Sequence, residues 1–322
     1  MKRRTAIRNS LLGTGALLTA SPFEKIFGQS SNAFESKINI GVQLFTIPKM
    51  AEADLEGTLK KLSELGYTEI EFFGPYGFSS DKAKADWENI KPMLGLEKNA
   101  FYGYSVKETA DLLKSHNLST PSLHTDLDTL RNNLDKMLDK VAPLEAKYLV
   151  LPAIQEQRNS LEDYKKYVEE FNAMGEKMSK YGMKFVYHNH GYEHKIFDGE
   201  IPMDFLLQNT DEAFVQFELD VFWMQAAGAN PVDYLKAYPN RFKLLHLKDA
   251  KEPFRFSGDG TTPEEWIQGF PFMSDPGDGV YDIKGIVEQG IKSGVEHFFL
   301  ERDLTPEPEK TLKNSYKYLA SL

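Results

Sequence analysis

Seven polar residues of this 322-residue chain stand where apolar, β-prone runs give out: Glu71, His124, His188, His190, Asp220, His246 and Glu301. Carboxylates and neutral imidazoles are the ligands of Mg²⁺, Mn²⁺, Zn²⁺ and similar ions. The chain has no cysteine, so no sulfur ligand narrows that choice. The same groups accept and return protons near neutral pH. A single strand-end histidine is as readily a packed structural residue. Several at corresponding ends call for a shared site.

The local patterns sharpen this reading. His246 sits in LLHLKDA, where Leu244, Leu245 and Leu247 bury the strand and Lys248 and Asp249 follow. Asp220 ends FELD and Glu301 follows the run HFFL, so each apolar strand delivers one carboxylate. The densest cluster is YHNHGYE at 187–193, where strand alternation sends His188 and His190 to one side and Asn189 to the other. One imidazole there suits a metal and the second a substrate or a proton, with Glu193 close behind.

Alternating elements must bring these residues together. Strand patterns fall at 38–45, 68–73, 119–124, 147–151, 183–188, 214–220, 242–247 and 295–300. Several are apolar for most of their length, as strands covered on both faces must be. Leucine stripes over 55–65 and 127–141 and an apolar stripe over 161–178 read as helices, as do 105–116, 202–209, 231–238, 280–292 and 307–319. Eight strand–helix units predict one domain, a closed parallel (β/α)8 TIM barrel from about residue 36 to 322, with the polar residues at its carboxyl mouth. No G-x-G-x-x-G follows the first strand and no GKS or GKT occurs, which excludes the usual phosphate loops. Two long segments, 74–104 and 248–279, read as loops on the mouth side.

Composition narrows the function classes. The chain carries 38 basic and 48 acidic residues, a net charge of −10, which disfavours nucleic acid and anionic membranes as partners. Residues 1–29 open with Lys2, Arg3, Arg4 and Arg8 before an apolar stretch, the order of an export signal, and the paired arginines resemble a twin-arginine leader. That apolar stretch is too short to span a bilayer, so no membrane anchor is expected. Removal of residues 1–29 leaves a net charge of −14 and places the remainder outside the cytoplasm, in a periplasm.

With GVQLFT at 41–46, ELGYTEIEFFG at 64–74, YHNHGYE, FELD, RFKLLHLKD at 241–249, GDG at 277–279 and ERD at 301–303, the region from Ile38 to about Leu319 resembles the xylose isomerase-like barrel family. That family includes sugar phosphate isomerases and epimerases, inosose dehydratases and 3-keto-sugar lyases. The resemblance implies one divalent ion (Mn, Mg, Zn or Co) held by Asp220, His246 and Glu301. The family's fifth-strand glutamate is replaced here, most simply by His188, with His190 or Glu193 as alternatives. It further implies a small sugar substrate and proton abstraction beside a carbonyl through a metal-stabilised enediolate. Glu301, His190 and His124 are the proton-handling candidates; Glu71, Glu193, Trp223, Lys248 and Asp249 are the substrate-side ones. Trp87, Tyr76, Phe73 and Trp266 offer further flat faces to a sugar. Isomerisation or epimerisation leads. Elimination from 3-keto glycosides or inosose-like substrates follows, because the opposed pair of glutamates is incomplete. A non-catalytic periplasmic sugar-binding protein is the alternative from another class.

Overall fold

The computed structural model describes residues 38–322. The expected leader and the expected domain start at 36 lie outside the described residues. Eight parallel strands close into a barrel: β1 Ile40–Gln43, β2 Glu69–Phe73, β3 Ser122–His124, β4 Tyr148–Leu151, β5 Lys184–His188, β6 Val215–Asp220, β7 Phe242–Leu247 and β8 His297–Leu300. Each pairs with its sequence neighbours, and β8 returns to β1. All eight expected strands are present, most trimmed by one to three residues at an end.

Helices wrap the barrel, and their amphipathic faces build the outer core. The helix Leu55–Leu65 is typical: the Asp54 side chain accepts from the Gly57 N–H, Leu55, Leu59 and Leu62 are buried, and left-handed Gly66 ends the helix. The stripe at 127–141 is divided at Asn133 into Leu127–Asn132 and Leu134–Val141. Among the described residues no helix is long and apolar enough to cross a membrane.

Inside the barrel, side chains two apart along each strand form layers. At the amino end Glu69 meets His297 across the β2–β1–β8 corner, with His297 Nδ1 2.9 Å from both carboxylate oxygens. Above them Val150, Val186, Leu244 and Phe299 form a dry plug. Gly41 permits this plug, since a Cβ there would come within 2.3 Å of the Phe299 ring. The next layer is polar, with Glu71, His124, His188, Glu218 and His246, all buried. Asp220, Lys248, Glu301 and Asp303 stand at the mouth.

Both long mouth-side segments contain more order than their composition suggests. Residues 74–104 hold the helix Asp81–Leu94, started by the Ser80 side chain accepting from Ala83 N and ended by left-handed Gly95. Residues 248–279 contain the helix Pro263–Gly269 and a short antiparallel pair, Asp249–Ala250 with Met273–Ser274.

Candidate metal and active site

Two neighbouring layers of the barrel form one connected cluster. In the upper layer, His246 Nδ1 is 2.6 Å from Glu301 Oε2 and 3.9 Å from Asp220 Oδ2, and His188 Nε2 is 3.8 Å from the same Asp220 oxygen. In the lower layer each of those imidazoles turns its other nitrogen to a carboxylate. His188 Nδ1 lies 2.9 Å from Glu218 Oε2, while His246 Nε2 lies 2.6 Å from Glu71 Oε2 and 3.1 Å from Glu218 Oε1. Metal-ligating histidines are oriented in this way, one nitrogen toward the ion and the other toward a carboxylate.

Asp220, His246 and Glu301 hold their ligand atoms within 4.8 Å of one another, and His188 groups in the same way with His124, Glu218 and His246, so two donor sets sharing His246 could hold a divalent ion. Their nitrogen and oxygen donors suit Zn²⁺, Mn²⁺ and related ions. Asp220 Oδ2 is fully buried and faces the Lys248 ammonium at 3.0 Å and the His188 and His246 rings at 3.8 and 3.9 Å, without a well-directed hydrogen bond from any of them. Its partner oxygen is already used, accepting from Trp223 N at 2.8 Å. The amide of Asn189 brackets the Asp220 backbone, with Oδ1 accepting from Asp220 N at 2.9 Å and Nδ2 donating to its carbonyl at 3.3 Å. The β6 terminus is therefore fixed.

Lys248 shares this site. Its Nζ lies 2.6 Å from Asp303, 2.7 Å from Glu301 and 3.0 Å from Asp220. Burial would lower its pKa, but Asp220, Asp303 and Glu301 overcome that and hold the ammonium well above its ordinary range. Burial alone would raise Glu301; Lys248 and His246 instead keep its carboxyl well below the usual range. Asp303 is pushed up to about 7 by burial, which the Lys248 charge only partly offsets. Burial would lower His124, yet Glu71 and Glu218 raise it to about 9. Glu218 and the His246 ring favour each other's charged forms in the same manner. His190 stands apart: burial, then His188 and Lys248, push it well below its ordinary value, so it is neutral. Its Nδ1–H donates to Pro152 O at 2.6 Å, which leaves Nε2 as the basic nitrogen.

A cavity of about 410 Å³ opens above the cluster. Of the site residues expected from sequence, His124, His188, His190, Lys248 and Glu301 line it, joined by Gln43 and Asp303. Asp220 and His246 stand directly behind that lining. The structure turns four expected substrate-side residues away from the cavity. Glu71 accepts from Gln43 Nε2 at 2.9 Å and from the Ser122 hydroxyl, and backs the histidines. Glu193 folds into its own loop, accepting from Tyr187 OH at 2.7 Å and Gly191 N at 2.7 Å. Asp249 ties down the other long segment through the N–H groups of Gly277, Gly279 and Tyr281. Trp223 is buried behind His190, their rings stacked 6.0 Å apart. Tyr76 is also buried and does not line the cavity, whereas Phe73, Trp87 and Trp266 do.

Sequence reasoning missed Glu218 and Asp303. Both lie two residues from an expected ligand, Asp220 and Glu301, so strand periodicity places each pair on one face. That spacing was the available signal.

The profile of the xylose isomerase-like TIM barrel family matches residues 59–321, and the chain belongs to that family. An inosose dehydratase of Clostridium beijerinckii is 36% identical over 159 residues, which cover 49% of this chain and 51% of that protein. The chain thus spans about half the length of the curated relatives it matches. Among solved structures, a sugar phosphate isomerase/epimerase from Parabacteroides distasonis superposes with a TM-score of 0.68 at 23% identity, covering 90% of this chain and 96% of that one. The protein IOLI with a bound zinc atom superposes with a TM-score of 0.62 at 16% identity, covering 88% and 95%.

Proposed function

We propose that this protein is a divalent-metal-dependent sugar isomerase or epimerase that removes a proton from the carbon beside a substrate carbonyl. The observation carrying this reading is the connected cluster itself: a metal-type donor set beneath a cavity whose lining also holds a neutral histidine, a carboxylate and an ammonium. An ion held by ligands from His188, Asp220, His246 and Glu301 would supply Lewis-acid polarisation of the carbonyl. The remaining work falls to the chain. His190 Nε2 accepts a proton, with Pro152 O fixing its tautomer. Lys248 keeps Glu301 ionised. Trp266 flanks His190, with ring centroids 4.6 Å apart, and excludes water from its face.

Elimination is the second reading, and one observation favours it. His124 lines the cavity while Glu71 and Glu218 face its Nε2 at 3.1 and 2.9 Å, an arrangement that keeps the ring protonated and able to deliver a proton to a leaving group. An exported, periplasmic location is part of the proposal and rests on the basic, twin-arginine-like leader alone. The test is incubation with free ketoses and 3-keto glucosides in deuterated water with Mn²⁺, Zn²⁺ or Co²⁺. Deuterium at one carbon without bond cleavage supports isomerisation or epimerisation, and release of an aglycone with an unsaturated keto sugar supports elimination. Metal-dependent binding with neither exchange nor conversion refutes both and leaves a sugar-binding protein.

A further inference from the structure

The cavity has two unlike halves. Its floor is charged; its outer wall is built from Phe45, Phe73, Trp87 and Ile90. Phe73 is the last residue of β2, two above Glu71, and Phe45 lies in the 3₁₀ turn Leu44–Thr46 that follows β1. Trp87 and Ile90 come from the helix Asp81–Leu94, where Ala83, Trp87 and Ile90 at i, i+4 and i+7 share the face toward the cavity. The rings form an edge-to-face ladder, Phe45 to Phe73 at 5.2 Å and Phe73 to Trp87 at 5.9 Å.

This wall offers a ligand no hydrogen bonds. The indole N–H of Trp87 points to Lys98 O at 3.4 Å, so the cavity meets ring carbon. Lys82 and Asp86 at its rim pair with each other at 2.5 Å, and the cavity's other outer polar side chains, Asp126, Asp128, Gln155 and Glu156, come from the segments after β3 and β4 rather than from this wall. Ile90 is 42% exposed, an unusual cost for a branched apolar side chain in a ligand cavity. A second sugar ring laid on this wall would find no hydrogen-bond partner on the apolar face itself. A flat apolar ring would cover the exposed carbon and continue the ladder.

We propose that the outer half of the cavity is an aglycone subsite, and that the substrate is a glycoside whose sugar reaches the charged floor while an aromatic aglycone lies against Trp87, Phe73 and Ile90. This rests on the reading of the floor as a sugar-processing site, and it names the substrate class of that site. The Ser80 cap and the Gly95 terminus hold the helix in place, and Ser80 N donates to Thr129 Oγ1 at 3.0 Å, so the wall is formed before ligand arrives.

Binding tests this without turnover. The full chain, loaded with Mn²⁺, is titrated calorimetrically with 4-nitrophenyl β-D-glucopyranoside, methyl β-D-glucopyranoside and cellobiose, none of which carries the keto group needed for reaction. The aryl glucoside is expected to bind at least about tenfold more tightly than the other two. Trp87→Ala should remove that advantage and leave the methyl glucoside unchanged. Ile90→Asn, at a position open to solvent, should reduce it several-fold even where Trp87→Ala fails to fold. Equal affinities, tighter binding of cellobiose, no aryl binding at millimolar concentration, or an aryl preference that survives both variants would each overturn the proposal. Trp87-dependent aryl binding in a protein that exchanges no deuterium into any keto sugar keeps the subsite and removes the catalytic reading. Exchange without aryl preference does the reverse.

Discussion

Glu69 and Glu71 lie two residues apart on one strand and face the same barrel interior, yet they live differently. Glu69 pairs with His297 alone, both carboxylate oxygens serving Nδ1, while the ring's Nε2 is buried without a partner. Glu71 is shared among Gln43, Ser122, His124 and His246, and through His246 it is linked to Glu301 and Lys248. The apolar plug of Val150, Val186, Leu244 and Phe299 separates the two levels. A local pair cut off from any cavity is a structural solution to burial. The upper network instead gathers Glu71, Glu218, Asp220 and Glu301 around His188, His246 and Lys248 beneath the cavity, the donor set proposed above to hold an ion. Connectivity separates the two roles where burial and residue type do not.

Substitutions at the two levels should therefore fail in different ways. The largest effect is expected for His246→Ala, which removes a donor common to both layers: kcat/KM should fall by about 10³-fold or more, on the scale of losing a preorganised electrostatic group, with the fold retained by circular dichroism. Activity within tenfold of wild type would erase the distinction between the levels. At the amino end, His297→Ala strands a buried carboxylate and should cost about 3 kcal/mol in urea unfolding while metal content stays unchanged. If that variant lost its metal, the plug would not insulate the two ends. Glu218→Gln keeps shape but removes the charge behind His188 and His246, so metal affinity should drop about 10- to 100-fold, read by competition with a chromophoric chelator. An unchanged affinity would make Glu218 a structural partner like Glu69.

The smallest effect concerns His194, outside both levels. Burial lowers its pKa to about 4. The folded state therefore resists protonation where the unfolded chain accepts it, near pH 6.5. Stability from this group is present above pH 6.5 and lost as pH falls toward 4. Because the ring is only half-buried, roughly 1–2 kcal/mol should disappear over that window, and His194→Gln should flatten the slope of urea midpoint against pH. A slope unchanged by the substitution would assign acid sensitivity to the mouth instead.

The barrel was legible because its signals are local. Apolar runs such as FKLLHL, the leucine stripes and the Gly stops each repeat a period that elementary geometry imposes. Asp220, His246 and Glu301 were legible because a charged residue ending an apolar strand has few places to point except the mouth. Glu218 was not, because it stands inside the apolar run VQFELD, where hydrophobic neighbours mask strand alternation. Asp249 and Glu193 misled for the opposite reason. Each follows a strand end, but backbone N–H groups from Gly277 and Gly191 reach it first and turn it into a loop anchor. The helix Asp81–Leu94 was hidden in a segment whose glycines and aromatics read as loop, although Ser80 and Gly95 mark its ends and Ala83, Trp87 and Ile90 its face.

The metal centre proposed for the mouth would draw its ligands from His188, Asp220, His246 and Glu301. Metal analysis by mass spectrometry tests it most directly, on wild type and Asp220→Asn, each incubated with Mn²⁺ or Zn²⁺ and dialysed. Close to one ion per chain is expected in wild type and almost none in the variant. Equal metal content in both proteins, or none in either with both metals, would contradict it.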